Sequence, residues 1–298
     1  MGSSKEMLAG VFSPMCTPFI DEQVSLDGVA TNIEKMNQTG LRGYFILGTN
    51  GEFKSLTAKE SFEVLQTVVK HRSADKVVMA GTAAESTFET IEKTLKAADL
   101  GADLVSLLMP HFFAKKMEDD VLASFIIDVA DASPIPVVLY NNPSVAAGVN
   151  IGADLIKRVA VHPNVIGIKD SSKSTYKNGL ESEGDGFSVM AGSAGYFLDL
   201  LVSGGTGGVL SLANVFPDAC ATLYRTFKEG RLEEAQKLSD ELISLNKEVS
   251  GAFGVAGVKA AMDLAGFVGG NPRKPLKGML ESQKLQLKET LTEKGFLK

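Results

Sequence analysis

The chain has 298 residues, 44% hydrophobic and 22% charged, with a net charge of −6 and no long basic block. That much apolar sequence can bury a large core as one big domain or two smaller ones. The acidic balance argues against nucleic acid or an anionic membrane surface as the main partner, so a small molecule is expected.

Short β-rich apolar runs recur along the chain, each followed after a small loop by a longer stretch with helical spacing, which is the pattern of βα units. The eight strand candidates are VFSPMC (11–16), GYFIL (43–47), KVVMA (76–80), DLVSLL (103–108), IPVVLY (135–140), NVIGIK (164–169), FSVMA (187–191) and TGGVLS (206–211). Helix candidates at 26–38, 57–71, 86–100 and 117–130 lie between them, several opening on Ser or Thr caps. Strands spaced roughly 20 to 35 residues apart fit an α/β fold of the (β/α)8 TIM barrel type, with a doubly wound sheet as the alternative. After an eighth helix near 214–228 only helical patterns follow, at 232–249, 255–267 and 282–291. The expected division is a barrel carrying the active site over 1–228 and a C-terminal helical appendage over 229–298.

Cys16 and Cys220 are far apart, without a CxxC or a Cys/His cluster, so a reducing, cytoplasmic setting is expected. The opening MGSSKEMLAG lacks the basic start and apolar core of a secretory leader, and Glu6 stands where a myristoylation motif needs Ser or Thr. No apolar run approaches the roughly 20 residues that span a bilayer. His71, His111 and His162 are dispersed and there is no P-loop or GxGxxG, so neither a metal nor a nucleotide cofactor is expected.

In a barrel of this kind the chemistry sits at the C-terminal ends of the strands. Of the eight ends only the sixth, NVIGIK, supplies a lysine, Lys169. At a dry barrel mouth the charged ammonium is disfavoured. Lowering a lysine from its ordinary pKa near 10.4 to near neutrality corresponds to about 4 kcal/mol against the charged form. The neutral amine can condense with a ketone, and the resulting imine withdraws electrons from an adjacent carbon-carbon bond. Alternatively Lys169 snorkels into solvent, the commoner fate of a lysine at a strand end. Tyr140 ends the preceding strand, and its phenol can both donate and accept a proton; a tyrosine there is otherwise a packing residue. The loop GTNGE (48–52) can turn backbone N–H groups inward as a nest for a carboxylate, or be an ordinary Asn-Gly turn. AGSAG (191–195) is equally open to a phosphate-binding reading.

Taken together, GTNGE after the second strand, YNNPS after the fifth, GIKDSS at the sixth, AGSAG after the seventh and LANVFP after the eighth resemble the dihydrodipicolinate synthase and N-acetylneuraminate lyase family over nearly the whole chain. GTNGEF, ESTFET, SPIPVVLY and KDS are most similar to its 4-hydroxy-2-oxoglutarate aldolase branch. The resemblance implies a class I lyase with pyruvate as the imine-forming partner. Lys169 would be the Schiff-base lysine, Tyr140 the proton shuttle, and Thr49 and Asn50 the holders of the pyruvate carboxylate, with the Thr49 hydroxyl in the relay. Gly192 and Ser193 would border the substrate, no organic cofactor would be needed, and the chain would form a homo-oligomer, a dimer or tetramer.

Two departures from the family pattern stand out. A tyrosine pair follows the fourth strand in most members, and here MPHFFAKKM places Phe112 and Phe113 there. A phenyl ring carries no proton, so His111, water or a different chemistry must substitute. Dihydrodipicolinate synthases also carry an arginine for the carboxylate of aspartate semialdehyde where this chain has Val145. Losing that partner costs about 2 to 3 kcal/mol or more in binding. The expected reaction is therefore cleavage or formation of a 4-hydroxy-2-oxo acid. Dihydrodipicolinate synthase proper and a non-catalytic 2-oxo-acid-binding barrel remain as alternatives.

Overall fold

Strands that are apolar along their whole length, rather than on alternate residues, belong in a parallel sheet covered on both faces. The computed structural model describes residues 4–172, 174–184 and 186–297. It contains β1 (Gly10–Pro14), β2 (Phe19–Ile20), β3 (Gln23–Val24), β4 (Gly43–Ile46), β5 (Val77–Gly81), β6 (Leu104–Leu108), β7 (Val137–Asn141), β8 (Val165–Asp170), β9 (Ser188–Ala191) and β10 (Gly207–Val209). Eight of these close into a barrel in the order β1-β10-β9-β8-β7-β6-β5-β4, and β2 with β3 forms a separate two-stranded sheet. The fold is thus the eight-stranded parallel barrel with intervening helices and C-terminal helices that the sequence led us to expect. Each expected strand lies within two residues of an observed one at either end.

The β2–β3 hairpin was not anticipated. Its turn residues Asp21 and Glu22 both adopt left-handed backbone, at φ 48° and 66°, as a tight two-residue hairpin turn requires. Opening residues 1–3, weighed above as part of a leader, lie outside the described residues. Among the described residues no helix is long and apolar enough to cross a membrane.

By contacts the chain divides into two compact units. The first comprises Met1–Gly10 and Val77–Val209. Its strands β5 to β10 pair in parallel, with Lys169 on β8 level with Tyr140 on β7 and Met190 on β9. Between the strands run helices Thr87–Asp99, capped by the Ser86 hydroxyl accepting the Glu89 N–H, and Asp119–Ala132.

The second unit comprises Val11–Lys76 and Leu210–Lys298. Here β1 and β4 pair through Phe12↔Gly43, Ser13↔Tyr44 and Pro14↔Phe45. Helix Leu26–Asn37 turns Val29, Ile33 and Met36 inward, and Ala58–His71 turns Val64, Leu65 and Val68 inward, each a stripe at helical spacing. The latter helix starts in a reciprocal capping box between Thr57 and Glu60. The tail folds as helices Leu232–Asn246, Ala252–Leu264 and Glu281–Glu293. The first of these continues into a π-helical turn, Lys247–Gly251, and Gly254 (φ 57°, ψ −140°) interrupts the helical backbone of the second.

Candidate active site

In the first unit the candidate residues gather around the end of β8. All six residues of this strand are buried, and the period of two puts Gly167 and Lys169 on one face. Lys169 is only 4% exposed. Its Nζ stands 3.8 Å from the centre of the Tyr140 ring, because the parallel register sets the two residues side by side. Burial pushes the lysine pKa below its ordinary 10.5, while charge interaction and hydrogen bonding with Tyr140 pull it partly back. Of the two fates open to this lysine on sequence alone, the buried one is observed.

The Tyr140 phenol accepts a hydrogen bond from the Asn142 side-chain amide at 2.9 Å, and Asn142 in turn accepts from Ser144 at 2.6 Å. That bond gives the buried phenol oxygen a donor partner. Beside them Asn141 and Asp170 lock the two strand ends together. Asn141 Nδ2 donates to Asp170 Oδ2 at 2.8 Å, its Oδ1 accepts the Ile151 N–H at 3.0 Å, and Asp170 Oδ1 accepts the Ser172 N–H at 2.7 Å.

Gly192 and Ser193 follow β9. The Gly192 N–H donates to the Asp170 carbonyl at 2.7 Å, and a Cβ at Gly192 would fall 1.9 Å from Ser171 Oγ and 2.6 Å from that carbonyl. Only glycine fits so close an approach. Ser193 Oγ accepts the Gly195 N–H at 3.1 Å and opens the short 3-10 helix Ala194–Tyr196. Tyr196, which the sequence analysis did not single out, donates to the Asp170 carbonyl at 2.7 Å and stacks on Tyr176 with ring centres 4.2 Å apart.

The loop after β6 carries His111, Phe112 and Phe113. The Glu85 carboxylate accepts the backbone N–H groups of both His111 and Phe112 at 2.8 Å. His111 Nδ1 lies 3.0 Å from the Met109 carbonyl and 3.5 Å from Glu85 Oε1. Two acceptors on that side favour the Nδ1–H tautomer and leave Nε2 as the proton-accepting nitrogen. Phe112 and Phe113 meet edge to face and are 77% and 67% exposed, and Val145 is 38% exposed.

In the second unit the loop 48–52 follows β4. Thr17 Oγ1 donates to the Gly51 carbonyl at 2.8 Å and the Glu52 N–H donates to the Thr49 carbonyl at 3.1 Å, which curls the loop. Asn50 Nδ2 is buried and has no hydrogen-bond acceptor among the described residues, which marks a place where an acceptor would be stabilised. Glu52 is buried and faces Lys259 Nζ at 2.5 Å. No motif marks this pair; its signal in the sequence is one lysine inside the apolar helical run VAGVKAAM.

Comparison with known proteins agrees with this geometry over the length of the chain. The model of the dihydrodipicolinate synthetase family matches residues 7–294. The 4-hydroxy-tetrahydrodipicolinate synthase of Methanothrix thermoacetophila is 33% identical, with 98% of each chain covered. The probable mitochondrial 4-hydroxy-2-oxoglutarate aldolase of Emericella nidulans is 31% identical, over 98% of this chain and 96% of that one. Among solved structures, a prophage protein of the dihydrodipicolinic acid synthase family from E. coli K12, crystallised with pyruvate, superposes with a TM-score of 0.90 at 27% identity, over 97% of this chain and 99% of that one. With the fold and the matched length in agreement, the chain belongs to the dihydrodipicolinate synthetase family and is an enzyme of the lyase and aldolase kind.

Proposed function

We propose that this enzyme is a Schiff-base aldolase that splits a 4-hydroxy-2-oxo acid into pyruvate and an aldehyde, or runs the reverse condensation. The observation that carries the reading is Lys169: a lysine 4% exposed, 3.8 Å from the Tyr140 ring, with its pKa pushed down by burial. Its neutral amine adds to the C2 carbonyl, and the adduct takes up one proton, through Tyr140, and loses water to leave a protonated imine. A base takes the proton of the C4 hydroxyl, the C3–C4 bond breaks, and its electron pair moves into the imine to form an enamine while the aldehyde departs. Protonation at C3 and hydrolysis then return pyruvate and the free amine. The imine is itself the electron sink, so no cofactor is required.

Tyr140 moves the protons, with Asn142 stabilising its oxygen. Thr49 and Asn50 hold the carboxylate, which would give the buried Asn50 amide its acceptor. The Thr49 hydroxyl serves in the relay, and Gly192 and Ser193 border the substrate. His111, through Nε2, takes the place of the phenol that Phe112 and Phe113 lack. The two buried, free thiols Cys16 and Cys220 suit a cytoplasmic setting, which cell fractionation would contradict by finding the chain elsewhere.

The relative from Methanothrix supports a second reading, condensation of pyruvate with aspartate semialdehyde. Val145 weighs against it, because that substrate's carboxylate then lacks a cationic partner. One set of assays separates the two. Borohydride with pyruvate is expected to add a stable mass to Lys169, and Lys169→Ala to abolish both adduct and turnover. Tyr140→Phe is expected to keep the adduct while slowing cleavage by about 10²- to 10⁴-fold. Pyruvate release should appear with 4-hydroxy-2-oxo acids and condensation with aspartate semialdehyde should not. Trapping without cleavage of any such acid would instead identify a binding barrel.

A further inference from the structure

We propose that Glu52 and Lys259 are positioning residues for substrate binding. A segment of the C-terminal tail sets the shape of the carboxylate-holding loop 48–52 through one buried ion pair. The inference rests on the proposed function and goes beyond it by assigning work to residues outside the reacting groups.

Glu52 ends the loop in left-handed backbone, φ 53° and ψ 37°, a conformation that a residue with a side chain adopts only when its surroundings demand it. Its carboxylate is 2% exposed and has two anchors, both from the tail. Lys259 Nζ stands 2.5 Å from Oε1, and the Arg273 backbone N–H donates to Oε2 at 2.9 Å. Lys259 is in turn fully buried on helix Ala252–Leu264, flanked by buried Val258, Ala260, Ala261 and Met262. Its ammonium also donates to the Asn271 carbonyl at 3.1 Å and lies 4.3 Å from the centre of the Phe19 ring. A Cβ at Gly269 would fall 2.0 Å from the Lys259 carbonyl, so the chain after the helix is packed tightly onto it.

A buried ion pair is a poor device for stability alone, since a packed apolar pair of equal volume often serves as well. What it does offer is selectivity for one arrangement, because any displacement leaves both charges unpaired in a dry interior. Here that arrangement fixes the last residue of a loop whose Asn50 amide is buried with no acceptor among the described residues. Preorganising that donor is worth having only if an acceptor arrives, and the carboxylate of a 2-oxo acid is the acceptor the reaction brings.

The test uses the full chain with Lys259→Met and, separately, Glu52→Gln, which keeps the side chain's size and part of its hydrogen bonding. Borohydride trapping at Lys169 is measured with pyruvate and with methyl pyruvate, a ketone of similar reactivity without the carboxylate, alongside circular dichroism and melting temperature. The expected result is a half-saturating pyruvate concentration raised about tenfold or more, with trapping of the methyl ester within about twofold of the parent. Equal losses with both ketones in a folded variant, or no loss with pyruvate, would overturn the inference while leaving the aldolase reading intact. A parent chain that traps neither ketone would overturn both. If Lys259→Met does not fold, Glu52→Gln alone carries the same expectations.

Discussion

Lys169 is costly where it stands. Burial holds its pKa below the ordinary 10.5, so between those two values the unfolded chain binds more proton at this site than the folded one. The folded state is therefore penalised at neutral pH, and the penalty disappears only as pH rises through the lysine's ordinary range. Lys169→Met should accordingly stabilise the inactive protein at pH 7 by on the order of 1 kcal/mol. The gain should shrink as pH approaches 10.5 and above. Thermal melts of parent and variant across that range decide the matter, and an unchanged or lower melting temperature at pH 7 counts against a buried, destabilised lysine. Tyr140 bears no such cost at its hydroxyl, since Asn142 supplies the hydrogen bond that burial would otherwise deny it.

At the level of elements, the tail segment after helix Ala252–Leu264 is tied to helix Ala58–His71 through Arg273. The guanidinium makes two bonds to Glu60, at 2.6 and 2.9 Å, and further bonds to the carbonyls of Ser55 and Glu22. Glu60 is also the third residue of its helix and closes the capping box with Thr57, so one carboxylate serves both a helix start and a tail contact. The hydrogen bond from Arg273 is the largest cause holding the Glu60 pKa down to about 2, from 4.5. For a carboxyl depressed in the folded state, the stabilisation is fully present above 4.5 and is lost as pH falls toward 2. Arg273→Leu is expected to lower stability at pH 7 by about 1 kcal/mol, given partial solvent screening. Denaturant melts should show the gap between parent and variant narrowing below pH 4.5. A gap that stays constant to acid pH would mean that packing on the Phe19 ring, 4.5 Å from the guanidinium, dominates instead.

For the molecule as a whole, the closed parallel barrel offers no open edge for association, so contacts between copies use the helices, the loops and the separate β2–β3 hairpin. Phe112 and Phe113 meet edge to face at 77% and 67% exposure, and large apolar side chains clustered on a surface mark contact sites. The homo-oligomer implied by the family resemblance, a dimer or tetramer, should sediment at a multiple of the 31.6 kDa of one chain. Phe112→Asp should lower that mass. A parent that sediments as a single chain would remove the expectation.

What the sequence by itself determined was the succession of eight βα units, because a run buried on both faces must be apolar throughout and each helix must carry an apolar stripe; neither requirement depends on distant residues, and closure into a barrel rather than a doubly wound sheet was decided by the tertiary structure. The sequence also determined which strand end bears the only lysine. The tertiary structure alone decided that Lys169 is dry and pressed against the Tyr140 ring, since either fate of the side chain satisfied the local pattern. It decided that Glu52 finds Lys259, a partner more than two hundred residues away that no local period can announce. It decided too that Asn141, Asp170 and Tyr196 bind the ends of neighbouring strands together. Hydrophobic periodicity is a short-range property of the chain and survives in the sequence. The pairing of buried polar groups is set by which atoms meet once the barrel has closed, so it becomes visible only in three dimensions.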